Sequence, residues 1–95
     1  MLKITLPNFI SDLLSAEQGG KSSTVRIPAE KLADVHAYFA ERHPNASAKM
    51  FEADGSVRKN VILVLNDELL SRSEYSATAF NDGDELSLLV QFAGG

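Results

Sequence analysis

Gly94 and Gly95 carry the most distinctive chemical possibility in this sequence. They follow an apolar stretch through a single spacer, Ala93. Glycine contributes no core packing, and ordering it costs more backbone entropy than ordering any other residue. A frayed end has the same composition. A side-chain-free tip directly after a strand also suits a narrow enzyme tunnel, where its amides and carbonyls pair with the walls. The reacting atom would then be the terminal carbonyl carbon of Gly95. A carboxylate is a poor electrophile, so a partner would have to activate it with ATP, for example as an acyl-adenylate.

The remaining residues offer little that competes with this chemistry. There is no cysteine, and therefore no thiol nucleophile, disulfide or thiolate metal site. The run Asp82-Gly83-Asp84-Glu85 lacks the length and spacing of a calcium loop, so no metal site is expected. His36 adjoins an apolar helical stripe and His43 sits in the last turn of that helix, where it complements the dipole, and no persuasive nucleophile-base arrangement stands out. The chain reads as a substrate or carrier and not as an enzyme.

Composition narrows the setting. Ninety-five residues with 44% hydrophobic content make one modest core, and the net charge is -4. That balance argues against a nucleic-acid partner, which requires clustered Lys and Arg. No apolar run is long enough to span a membrane, and the alternating start does not read as a signal peptide. A cytoplasmic protein is the expectation. The acid is unevenly spread: residues 61–95 hold Asp67, Glu68, Glu74, Asp82, Asp84 and Glu85 against Arg72 alone. An acidic last third would steer the chain onto a basic partner surface, although acids in turns are ordinary on any soluble protein.

Positioning such a tip requires a rigid body. Leu2, Ile4 and Leu6 alternate with Lys3 and Thr5, which predicts a half-buried strand ended by Pro7. Phe9, Ile10, Leu13 and Leu14 cover a core edge as a short turn of helix. Residues 15–23, with Gly19-Gly20, read as a flexible hairpin-like connection to a second strand, in which Val25 and Ile27 face inward. Leu32, Val35, His36 and Phe39 make one helical stripe within 29–43, closed by Pro44-Asn45. Residues 45–60 read as irregular, with Met50 and Phe51 packing down and Asp54-Gly55 turning. The run 61–65 is a central strand, Asn66-Asp67 turns, and Leu69-Leu70 return as a short strand. Tyr75, Ala79 and Phe80 close one end of the core. The final strand, 85–92, puts Leu86, Leu88, Val90 and Phe92 on one face and Ser87, Leu89 and Gln91 on the other. Leu63 and Leu89 are expected on the uncovered sheet face as a partner surface.

The order strand, strand, helix, strand, short strand, strand is α+β: a mixed sheet of four to five strands with one main helix across it. Asp82-Gly83-Asp84-Glu85, the apolar strand after it and Ala93-Gly94-Gly95 resemble the C-terminal signature of MoaD/ThiS-like sulfur carriers. The weaker likeness over the whole chain implies a ubiquitin-like β-grasp domain over 1–92 and a flexible tail over 93–95.

The resemblance implies an E1-like adenylyltransferase of the MoeB/ThiF type as partner. It would use ATP and Mg to adenylate Gly95, with no cofactor bound by the carrier itself. A sulfur donor enzyme would leave a Gly95 thiocarboxylate. The acceptor would be a downstream sulfur-accepting synthase or a molybdopterin-synthase large subunit, with cysteine or another sulfur-containing metabolite as alternative products. The implied interface is Leu63, Leu89, Gln91 and Phe92, with Ala93, Gly94 and Gly95 inserted. Phe92 also has the parity of a core residue. Many members place proline just before the glycine pair, whereas this chain reads Val90-Gln91-Phe92-Ala93. A ubiquitin-like modifier conjugated through Gly95 and a plain β-grasp interaction domain remain the alternatives.

Overall fold

The computed structural model describes residues 1–18 and 24–91. Strand β1 (Leu2–Thr5) buries Leu2 and Ile4, as its alternation predicts. Helix α1 (Asn8–Gln18) follows and is longer than the single turn expected. Its start is fixed by the Pro7 carbonyl, which accepts from the amides of Ile10 and Ser11. Ile10 is buried and Leu13 packs on the core, and Ala16, Glu17 and Gln18 are good helix formers that let it run on. The Gly19-Gly20 part of the expected connection lies outside the described residues. Strand β2 (Thr24–Ile27) pairs antiparallel with β1, Ile4 opposite Val25. The opening pair is therefore present, with a helix between its strands.

Helix α2 (Leu32–Arg42) buries Leu32, Val35 and Phe39. It is shorter than 29–43 because Lys31 stays extended and bridges Ala79. Pro44 does not merely end it. A further helix, α3 (Pro44–Met50), begins there with proline in its first turn, where the missing amide costs nothing. Ala46, Ser47 and Met50 form its buried face, a helical spacing inside the stretch expected to be irregular. Met50 and Phe51 are buried, as anticipated.

Strand β3 (Val61–Leu65), the two-residue β4 (Glu68–Leu69) and β5 (Glu85–Val90) complete a five-stranded sheet of order β2-β1-β5-β3-β4. Asn66 and Asp67, at φ 50° and 67°, form the tight β3–β4 turn. Strand β5 is central, parallel to β1 and antiparallel to β3. This is a β-grasp fold: a mixed sheet with helices packed across one face.

Candidate functional site

Strand β5 is flanked by β1 along Glu85–Ser87 and by β3 along Leu86–Val90, so its last three residues are held by β3 alone. Its C-terminal end is the root from which the chain leaves the sheet. There the Gln91 amide donates to the Asn60 carbonyl at 2.8 Å, and Gln91 is exposed. Arg58, Lys59, Asn60 and Gln91 line one open groove. Phe92, Ala93, Gly94 and Gly95 lie outside the described residues.

The sheet face away from the helices starts at the same end. Leu89 is 51% exposed and stands opposite Ile62. Val64 pairs with Leu69, itself 71% exposed, so Ile62, Val64, Leu69 and Leu89 make an apolar strip. Contiguous exposed apolar side chains of this kind make a candidate interaction surface.

Leu63 does not belong to it. It is 2% exposed, stands opposite the buried Leu88 and sits in the core. The expectation that placed Leu63 outside has the phase of β3 off by one residue, and Ile62 is the outward side chain. Val-Ile-Leu-Val-Leu contains no polar residue to mark either face, and a one-residue slip reverses every side chain in a strand. Pairing with β5, where Ser87 and Glu85 do mark the outer face, carries the information that β3 lacks.

The other end of β5 holds most of the acid. Asp84 is tied to the β3–β4 turn: Asn66 Nδ2 donates to its Oδ1 at 3.0 Å, and the Glu85 amide donates to Asn66 Oδ1 at 2.9 Å. The Asn81 amide donates to Asp84 Oδ2 at 2.8 Å. That backbone bond, followed by the Asn66 amide, holds the Asp84 carboxyl below its ordinary range. Asp82 pairs with the Met1 ammonium, and Glu85 lies 3.5 Å from Lys3. Five of the six acids of the last third, all but Glu74, thus gather at the end opposite the root, about 17 Å away along six residues of strand. This acid is gathered at the start of β5 and the β3–β4 turn, away from Gln91. Among the described residues, no group of His, Cys, Asp and Glu could hold a metal ion, and no helix is long and apolar enough to cross a membrane.

Residues 14–95 match the ThiS family. The chain belongs to the ThiS family. It is a ThiS/MoaD-like β-grasp member of the sulfur-carrier and ubiquitin-like superfamily. Solved structures agree on the fold. The Amycolatopsis orientalis BexX/CysO complex aligns over 100% of both chains with TM-score 0.76 at 21% identity. CysO of Mycobacterium tuberculosis, described as an antigen, aligns with TM-score 0.73 at 22% identity, over 97% of this chain and 100% of that one. The small archaeal modifier protein 1 of Methanosarcina acetivorans aligns with TM-score 0.72 at 20% identity, over 99% and 95%. No curated protein matches by sequence.

For a ThiS-family chain, the root of β5 and the apolar strip beside it are the surfaces of interest. Sequence reasoning found Leu89 and Gln91 in this region. It missed Ile62 and Val64, and it read Leu69 only as part of a short strand. The one available signal was β5, whose alternation of polar and apolar residues fixes the phase of its partner.

Proposed function

We propose that this chain is a sulfur carrier that reacts at the carboxylate of Gly95. The observation that carries the reading is the ThiS-family match, which extends through residue 95. The pairing of β5 with β3 through Val90, continued by the Gln91 amide on the Asn60 carbonyl, supports it, because the strand that precedes the terminus is anchored up to Gln91. In the proposed cycle an E1-like adenylyltransferase binds the carrier over Ile62, Val64 and Leu89 and receives Ala93, Gly94 and Gly95 in its cleft.

The Gly95 carboxylate oxygen attacks the α-phosphorus of ATP, held with Mg by that enzyme, and pyrophosphate leaves. Hydrosulfide delivered by the donor enzyme then attacks the activated acyl carbon. AMP departs with the former carboxylate oxygen, and loss of the S–H proton leaves the Gly95 thiocarboxylate. A downstream synthase receives the same residues and takes up the sulfur. Its product class is molybdopterin, cysteine or another sulfur-containing metabolite.

Deleting Gly95 tests the assignment. Transfer is expected to be abolished while the thermal unfolding midpoint stays unchanged, since a terminal glycine has no side chain to pack. Transfer by the truncated chain would contradict the reading.

Likeness to archaeal modifier proteins favours a second reading, conjugation of Gly95 to lysine amines of other proteins. The same activated carboxylate serves both outcomes. Covalent adducts of higher mass in a lysate, resistant to thiol reagents, would establish it.

A further inference from the structure

Strand β4 is only two residues long, so on that side β3 has a strand partner only at Val64 and Leu65. The rest of this edge is satisfied from the segment after β4. The Leu70 amide donates to the Leu63 carbonyl at 3.0 Å, and the Leu63 amide donates to the Tyr75 hydroxyl at 3.3 Å. Arg72 Nη2 donates to the Val61 carbonyl at 2.9 Å.

That same nitrogen reaches two more carbonyls, Arg58 at 3.1 Å and Lys59. Three carbonyls of a four-residue turn therefore converge on one cation, and charge-assisted bonds of this kind are stronger than neutral ones. The turn's remaining carbonyl, that of Asn60, accepts the Gln91 amide at 2.8 Å. Arg72 is itself held in place. Its guanidinium lies 5.7 Å from the Tyr75 ring centre, and it occupies a 3-10 turn (Arg72–Glu74) closed by a capping box between Ser71 and Glu74.

We propose that Arg72 is a positioning residue for the reactive end of the chain. Its guanidinium fixes the 58–61 turn, the turn fixes the Asn60 carbonyl, and that carbonyl fixes the direction in which the chain leaves β5 at Gln91. The described contacts of Arg72 are to backbone carbonyls and the Tyr75 ring, which is positioning and not chemistry. Without the cation the Lys59 and Val61 carbonyls lose this donor while the Arg58 carbonyl keeps the Val61 amide at 3.0 Å, the turn relaxes, and the root of β5 frays by one residue. The arrangement deepens the sulfur-carrier reading and rests on it only for its consequence in transfer.

The test is residue-resolved amide exchange by NMR on the full chain. In Arg72→Met, exchange at Gln91 is expected to rise at least tenfold, while the amides of Leu86, Leu88 and Leu89 change less than twofold. Unchanged exchange at Gln91 would overturn the proposal. Equal acceleration along all of β5 would overturn it too, since Arg72 would then serve only global stability. Should Arg72→Met not fold, Arg72→Gln keeps a polar side chain but lacks the charge and the reach to span three carbonyls, and the same selective acceleration is expected. With an adenylyltransferase that turns over the wild-type chain, Arg72→Met should raise KM about fivefold, the entropy of ordering one more residue, and leave kcat unchanged. A fall in kcat with KM unchanged would contradict positioning. If the sulfur-carrier reading itself failed, the wild type would show no turnover, and the exchange result would stand by itself.

Discussion

The two ends of β5 are built for different work. At the root, the last described bond is a single backbone hydrogen bond from Gln91 to the Asn60 carbonyl, and an apolar strip opens directly beside it. At the far end, the strand start is tied down by Asn66, Asn81 and the carbonyls around Met1 and Asp84. Polar groups there satisfy one another locally. One end leaves an apolar strip exposed and the other closes the fold. Most of the acid of the last third lies at the end of β5 away from Gln91.

The sharpest way to break this contrast is to charge the strip. Leu89→Asp is expected to weaken binding of the activating partner about 30-fold, the effect of losing a central apolar contact of about 2 kcal/mol. Its unfolding midpoint should barely move, since the side chain is already 51% exposed. Titration calorimetry and a thermal melt check both halves. An unchanged affinity would remove the strip from the interface.

The opposite outcome is expected at the far end. Gly83 has φ 89° with open space around a would-be Cβ, so its requirement is conformational and not steric. Gly83→Val should cost about 1–3 kcal/mol of stability by chemical denaturation. The variant should still transfer sulfur at the wild-type rate where it is folded. A transfer defect with the melt unchanged would place the far end in the interface.

Acid separates the same two functions more gently. Asp84 and Glu74 are held below their ordinary carboxyl ranges, Asp84 by the Asn81 amide and Asn66, Glu74 by the Ser71 hydroxyl and amide. Groups depressed in the folded state add stability above their unfolded values and lose it as pH falls through the folded ones. Stability should thus be flat near neutrality and decline only below about pH 4. Asp84→Asn and Glu74→Gln together should flatten that decline. An equally steep acid limb in the double variant would assign it to other carboxylates.

The smallest effect is expected from the turn acids. Asp67→Asn with Glu68→Gln should leave the transfer rate within twofold of wild type and its salt dependence unaltered. A slower, salt-insensitive reaction would restore acidic steering of the partner.

Much of the fold was legible in the sequence, for stated physical reasons. Alternation marks β1 and β5 because polar residues record which face is wet, and the Leu32, Val35 and Phe39 spacing marks α2. Helix α3 was hidden because Pro44 both ends one helix and starts the next, and only the spacing of Ala46, Ser47 and Met50 distinguishes those roles. The phase of β3 was unreadable because all five of its residues are apolar. The Arg72 arrangement was illegible for another reason: its acceptors are backbone carbonyls, which every sequence has. Of the candidate site, Leu89 and Gln91 lie at the expected surface, Leu63 does not, and Phe92 through Gly95 fall outside the described residues.

The central claim is that sulfur travels on Gly95. Incubating the chain with a competent adenylyltransferase, ATP, Mg and a sulfide source, then measuring intact mass, tests it directly. The expected product is about 16 Da heavier, one oxygen exchanged for sulfur, with the shift confined to the C-terminal peptide. An unchanged mass, with an enzyme that converts another carrier in parallel, would contradict it.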